Sequence, residues 1–377
     1  MEKIKLGEVC RVQSGYAFKS NEFQKNNIPI IRIGNIQNDK VYIDENICYN
    51  EEFLNKHPEF EIENGDILIA LSGATVGKVG EYQEDRRALL NQRVGKFILL
   101  DKLEKKYLYF LLHSQLFEKF ILNNAFGCAQ PNISNKRIEE FEFYNYGNKE
   151  QIEIVNKLSK IQEIIDIRKK QIEELDKLIK SQFVEMFGNP IENERKWDAD
   201  IISNVAPIQN YKGNFDQKVW LLNLDMIESN TGRIVNYIYE NIENIGSSTC
   251  TFNEDNILYS KLRPYLNKVV IPNNKGYATS ELVPLKPNKE RLNRYFLAYL
   301  LRTEQFVQYI SQKVVGAKMP RVSMEIFRKF NVIIPPIQLQ NQFADFVKQI
   351  DKQKFKIQKS LDELQKLQKS LMNKYFI

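Results

Sequence analysis

The segment Glu174-Leu175-Asp176-Lys177-Leu178-Ile179-Lys180-Ser181 returns 189 residues later as Glu363-Leu364-Gln365-Lys366-Leu367-Gln368-Lys369-Ser370. The same offset pairs Gly127 with Gly316, Pro131 with Pro320, Ser134 with Ser323, Phe141 with Phe330, Gln151 with Gln340 and Phe187 with Phe376. One offset holding over so long a span marks a duplication, and a chain written twice must fold as two related units. Upstream the register slips by a residue or two, as loop insertions cause. There Gly65-Asp66-Ile67-Leu68 matches Asp255-Asn256-Ile257-Leu258, Lys78 matches Lys268, and Ile31-Arg32-Ile33 matches Leu222-Asn223-Leu224. With 377 residues, 43% of them hydrophobic, each copy has the material for a core of its own.

Each copy divides by its hydrophobic period. Ile154, Leu158, Ile161, Ile165, Ile172 and Leu175 in the first copy fall mostly on alternating steps of four and three, with Arg168 interrupting. Phe343, Val347, Ile350, Ile357, Leu361 and Leu364 do so in the second, with Lys354 interrupting. A narrow seam in a segment rich in Lys, Glu and Gln predicts a coiled-coil helix. Gly188 and Pro190 supply the first helix with a stop. Ahead of each helix, short runs such as Pro29–Ile33, Asp66–Ala70 and Val332–Ile334 read as strands, and 106–120 and 294–310 as helices. The expected fold class is α+β: mixed domains at 1–149 and 188–337, each followed by a long helix, at 150–187 and 338–377. The short join after Phe187 starts the second domain where the first helix ends. The two helices should therefore pack antiparallel, with the domains at opposite ends of a rod. About 35 residues at ~1.5 Å each give roughly 50 Å, a little over one turn of DNA.

Much chemistry is missing. Ser72-Gly73-Ala74-Thr75-Val76-Gly77-Lys78-Val79 imitates a phosphate-binding loop, but its glycines stand one residue too close and Val79 replaces the magnesium-binding hydroxyl. The second copy, Lys261–Lys268, has neither glycine. There is no Gly-rich cofactor loop after a strand, no Asn-Pro-Pro-aromatic motif to receive a flipped base, and no carboxylate spacing that reads as a hydrolytic dyad. Cys10, Cys48, Cys128 and Cys250, with only His57 and His113 as imidazoles, are too scattered for a zinc site or a disulfide framework, which fits a reducing cytoplasm. Neither a signal peptide nor an apolar run long enough to span a membrane is evident. The 54 Lys and Arg against 48 Asp and Glu leave +6, an excess suited to an acidic partner. No cofactor and no metal is expected on this chain.

What remains are turn-rich segments bearing side chains that suit DNA. In the first copy these are Ser14, Tyr16, Phe18, Lys19, Arg32, Ser72, Thr75, Lys78, Asn91, Gln92, Arg93, Gln130 and Asn132. In the second they are Lys212, Asn214, Lys261, Arg263, Tyr265, Asn267, Lys268, Ser280, Lys318 and Arg321. Arg and Lys suit guanine edges and phosphates, and Asn and Gln suit adenine. An isolated loop cation is ordinarily a solvated surface group, and Tyr16, Phe18 and Tyr265 are ordinarily packing residues. The functional reading is favoured by position: these residues fall at matched places in the two copies yet differ in identity.

Several segments resemble the specificity subunits of type I restriction-modification systems. They are Gly65-Asp66-Ile67-Leu68 with the following Ser-Gly-Ala-Thr-Val-Gly-Lys, Ser14–Ser20, Ile31–Ile36, and Pro335-Pro336-Ile337-Gln338-Leu339-Gln340 leading into the second helix. The domain, helix, domain, helix order extends the resemblance over essentially the whole chain. The first copy departs from it with Tyr146-Gly147-Asn148 where Pro-Pro is expected, and the second with Lys261-Leu262-Arg263-Pro264 in place of the glycine-rich turn. The resemblance implies a non-catalytic subunit whose two target-recognition domains read the halves of an asymmetric bipartite site in double-stranded DNA. It also implies two methyltransferase partners that use S-adenosylmethionine on adenine, and optionally two ATP-dependent restriction subunits. A self-sufficient methyltransferase or nuclease is disfavoured by the absent motifs. The alternative is an architectural or decoy DNA-binding protein.

Overall fold

The computed structural model describes residues 2–100, 103–125, 130–316 and 318–376, so Gly127 and Cys128 lie outside the described residues. Two helices dominate the element order, Asn148–Phe187 and Ile337–Phe376. Compactness does not divide the chain where domain gives way to helix. It sets Met1–Ile167 with Leu361–Ile377 as one unit and Arg168–Ser360 as the other. Each unit thus holds one domain, the start of that copy's helix and the end of the other copy's. The seam explains this: Ile154 and Leu158 are buried in the first domain's core, and Phe343, Val347 and Ile350 in the second's.

In the first unit, strand Glu2–Lys5 closes antiparallel on Glu142–Asn145, just ahead of the long helix. A six-stranded sheet runs in the order Cys10–Ser14, Val94–Leu99, Ile67–Ala70, Val79–Glu81, Lys40–Val41, Ile36–Gln37. Its third strand, Ile67–Ala70, is buried throughout, which is why it reads as an unbroken apolar run. A four-stranded sheet runs in the order Cys48–Tyr49, Ile28–Ile31, Ala88–Leu90, Glu61–Ile62, its strands interleaved in sequence with those of the six-stranded sheet. Helices Lys105–Leu112 and Gln115–Ala125 add Tyr107, Phe117 and Ile121 to the core. The end of the second long helix packs here, with Phe376 5.3 Å from Tyr107 and Gln368 Nε2 donating to Gln162 Oε1 at 2.7 Å.

The second unit repeats the plan. Asp198–Ile201 closes on Asn331–Ile334, a four-stranded sheet contains Lys218–Leu222 parallel to Gly276–Thr279, and Ile257–Ser260 stands between Val269–Val270 and Leu282–Leu285. Phe343 packs within 5.6 Å of Phe183 and Phe187, and Lys354 Nζ meets Asp176 Oδ1 at 2.5 Å. In each unit one helix is therefore climbed while the other is descended, an antiparallel pairing. The seam residues Ile161, Ile172, Leu175, Ile357 and Leu364 are half-buried, and Ile165 and Leu361 buried.

The offset pair Gln151 and Gln340 has a shared task. Both are buried where the long helices begin. Gln151 Oε1 accepts from the backbone of Glu104 (3.0 Å) and its Nε2 donates to the Tyr146 carbonyl (2.8 Å). Gln340 Oε1 accepts from Asn293 (2.8 Å) and its Nε2 donates to the carbonyls of Pro335 (2.7 Å) and Arg291 (3.0 Å). Glu104 and Asn293 are the N-caps of the matching helices Lys105–Leu112 and Arg294–Arg302. Tyr146-Gly147-Asn148 thus keeps the glutamine clamp that Pro335-Pro336 supports in the second copy. Among the described residues, no helix is long and apolar enough to cross a membrane.

Candidate nucleic-acid interface

The turn after the buried strand is built alike in both units. In the first, Leu71 N donates to Arg93 O (2.9 Å), Ile133 N to Leu71 O (2.9 Å) and Gly73 N to Pro131 O (2.9 Å). In the second, Lys261 N donates to Glu281 O (3.0 Å), Val322 N to Lys261 O (2.9 Å) and Arg263 N to Pro320 O (2.8 Å). Bridges Ser72↔Asn132 and Leu262↔Arg321 complete the frame. These bonds set Arg93 and Asn132 on the two sides of the turn in one unit, and Glu281 and Arg321 on the two sides in the other.

The frame also accounts for the loop that imitates a phosphate binder. Gly73 and Gly77 have φ +78° and +82°, and the matching Arg263 and Asn267 both have +49°. Left-handed backbone is needed at these two corners, so the glycines serve the turn. A Cβ on Gly77 would overlap the Ile121 side chain.

In the first unit the frame gathers Ser14, Ser72, Gln92, Arg93, Gln130 and Asn132 around a polar cleft of roughly 540 Å³. Ser134, Asn135 and Lys136, absent from the sequence-based candidates, line it too. Asn135 Nδ2 donates to Ser14 Oγ (2.8 Å), and Ser134 caps the short helix Asn135–Glu139 by accepting from Arg137 N (3.2 Å). That Ser-x-x capping position was the available signal. Buried Ser72 Oγ has no hydrogen-bond partner among the described residues. A cleft of amides and hydroxyls with Arg93 at its edge offers donors and acceptors of the kind that read base edges. Asn91 supports it from behind: its backbone donates to Ile31 O, and its Oδ1 accepts from Arg93 N.

Other first-unit candidates stand apart. Tyr16 and Phe18 belong to an aromatic cluster with Tyr49 and Phe53, at centroid distances of 4.9–5.1 Å, so packing accounts for half-buried Phe18. Lys19 lies 3.9 Å from Glu22. Arg32 is half-buried with an unpartnered Nε, and Thr75 Oγ1 donates to Ile33 O at 3.5 Å. Lys78 is exposed.

Two second-unit candidates need correction. Asn267 is buried, with Nδ2 donating to Arg302 O (2.9 Å), so it serves the turn and presents nothing to DNA. Lys268 is half-buried and donates to Leu224 O (2.7 Å). Desolvation lowers its pKa, and one of its three N–H groups is engaged by the protein itself, which argues against Lys268 as a phosphate contact. Lys261, Arg263, Ser280 and Arg321 share the equivalent frame, with Arg263, Ser280, Lys318 and Tyr265 exposed. Lys212 and Asn214 lie on a separate loop anchored to strand Thr249–Phe252, where Thr251 Oγ1 donates to Tyr211 O (2.7 Å).

A family model described as the type I restriction modification DNA specificity domain matches residues 1–177 and 199–368. Two specificity subunits of Methanocaldococcus jannaschii are similar in sequence. That of the type I restriction enzyme MjaVIII is 33% identical over 181 residues, 47% of this chain and 43% of the relative. That of MjaIX is 22% identical over 400 residues, 99% of this chain and 91% of the relative. The chain thus spans less than half of the first relative and most of the second. The crystal structure of a type I restriction-modification S subunit from M. genitalium shares the fold, with a TM-score of 0.58 and 16% identity, covering 100% of this chain and 96% of that one.

Proposed function

Because the chain belongs to the type I restriction-modification DNA specificity family, we propose that it is the non-catalytic subunit that selects the target of a methylating complex. It reads an asymmetric, two-part site in double-stranded DNA, one part with each domain, and the paired helices set the unread gap. The observation that carries this reading is the repeated frame with changed occupants: Ser72, Arg93 and Asn132 in one unit stand where Leu262, Glu281 and Arg321 stand in the other. A shared backbone with different side chains is what two readers of different short sequences require. Two methyltransferase subunits supply the S-adenosylmethionine chemistry on adenine, and two ATP-dependent restriction subunits complete a cleaving form. The host of these complexes is the cytoplasm.

Sequencing of modified bases in the host, with this gene intact and deleted, tests the proposal. The expected result is loss of adenine methylation at an interrupted, asymmetric motif. A palindromic or uninterrupted motif overturns it, and so does methyl transfer by the purified chain alone. Duplex binding with no sequence preference, with or without partners, would instead mark an architectural or decoy role.

A further inference from the structure

The two frames differ most in where their cation sits. In the first unit Arg93 stands at the strand-end side of the turn and Asn132 on its other side, both lining the cleft. In the second the sides are exchanged: Arg321 occupies the position of Asn132, and Glu281 the position of Arg93. Arg321 is held along one edge, with Nε 3.1 and 3.2 Å from the two carboxylate oxygens of Glu281 and Nη2 2.8 Å from Oε1. Its hydrogen bonds are also the main reason that the Glu281 carboxyl titrates below the ordinary carboxylate range, so the acceptor is ionised at neutral pH.

A guanidinium is planar with five donors in fixed directions. Binding a carboxylate through Nε and Nη2 leaves Nη1 and the outer N–H of Nη2 as an end-on fork in the same plane. Such a fork meets two adjacent acceptors. In the major groove guanine offers O6 and N7, whereas adenine presents a donor, N6, beside N7. The carboxylate also offsets the charge of the arginine, which weakens a purely phosphate-directed role. Glu281 is the more buried partner, with 21% of its side chain exposed against 44% for Arg321, so the acceptor forms the base and the arginine the tip.

We propose that Arg321 recognises a guanine in the half-site read by the second unit, and that Glu281 is its positioning residue. This rests on the DNA-reading function proposed above. Arg93, which has no acidic partner among the described residues, carries no such brace, so the two half-sites differ in how their arginine is held.

The test is selection from a randomised duplex library by the full chain with its methyltransferase partners, comparing wild type with Arg321→Lys, Arg321→Ala, Glu281→Ala and Glu281→Asp. Arg321→Lys preserves an ion pair with Glu281 and guards against a folding artefact, and a thermal melt accompanies each variant. The expected result is that both arginine variants lose guanine preference at one position, by about 5- to 150-fold. Glu281→Ala weakens preference at that same position although Arg321 is intact, and Glu281→Asp restores part of it. The first half-site and the salt slope stay unchanged. A uniform affinity loss with a slope lower by about 0.9 would make Arg321 a phosphate contact and overturn the proposal. An unchanged base profile in Arg321→Ala overturns it as well, and an unchanged profile in Glu281→Ala removes the positioning role. Failure of the wild-type complex to select any motif would instead remove the DNA-reading function itself.

Discussion

Lys78 and Lys268 end equivalent turns, yet Lys78 is exposed and Lys268 half-buried. Lys268 satisfies the Leu224 carbonyl, a role taken in the first unit by the Thr75 hydroxyl toward Ile33. The two lysines should therefore separate cleanly by experiment. Lys78→Ala is expected to lower affinity for any duplex and to reduce the salt slope by about 0.9, the signature of one lost phosphate contact, in binding titrations across salt concentrations. Lys268→Ala is expected to leave that slope unchanged and to destabilise the second unit by only about 0.5–1.5 kcal/mol, because the Leu224 carbonyl loses one hydrogen bond but keeps the Ile227 N–H. Both tryptophans, Trp197 and Trp220, lie in the second unit, so their fluorescence during denaturant unfolding reports this loss directly. From sequence the two lysines were indistinguishable. Whether an aligned cation faces water or a carbonyl depends on side-chain packing, which a repeat offset does not record.

At the scale of elements the long helices were legible because a 3.5-residue period repeats over many turns, and the strands because short β-rich runs lie between turn residues. The cleft was less legible: its walls come from Ser14, the 71–73 turn, 92–93 and 130–136, joined by backbone bonds across distant parts of the chain. Gln151 and Gln340 were visible only as a repeated pair. Their buried amides, which tie each long helix to the cap of a smaller one, make a sharp prediction. Gln340→Met keeps most of the volume but leaves the Asn293 N–H and the Pro335 carbonyl without their partner. Tryptophan-monitored unfolding is expected to show a loss of about 3 kcal/mol or more, since each buried orphan costs about 1–3 kcal/mol. The interruption at Lys354 allows a second prediction. Lys354→Ile installs the residue that the first copy carries at Ile165 but strands half-buried Asp176, so it should destabilise alone. Asp176→Leu added to Lys354→Ile should recover most of that loss, because a partly buried ion pair replaced by apolar contact is often neutral. A double-mutant cycle gives the coupling.

For the whole molecule, the consequence of the duplication is that the second unit is one continuous stretch, Arg168–Ser360, whereas the first is assembled from Met1–Ile167 and Leu361–Ile377. Leu361 and Phe376, from the far end of the chain, are buried in the first unit, and Phe376 packs on Tyr107 beside Leu158. Removing residues 361–377 should therefore injure the domain farthest away in sequence. Uncovering Leu158, Tyr107 and their neighbours forfeits roughly 1.5–3 kcal/mol per large side chain. Hydrogen exchange on the truncated chain is expected to quicken in Lys105–Leu112, Gln115–Ala125 and the start of the first long helix. The tryptophan unfolding transition of the second unit should hardly move, because Phe343, Val347 and Ile350 precede the cut. In library selection with its partners, the truncated chain should keep the second half-site and lose the first. Equal deprotection of both units would show that they unfold as one cooperative body, and loss of only the second half-site would contradict the assignment of the C-terminal segment to the first domain's core.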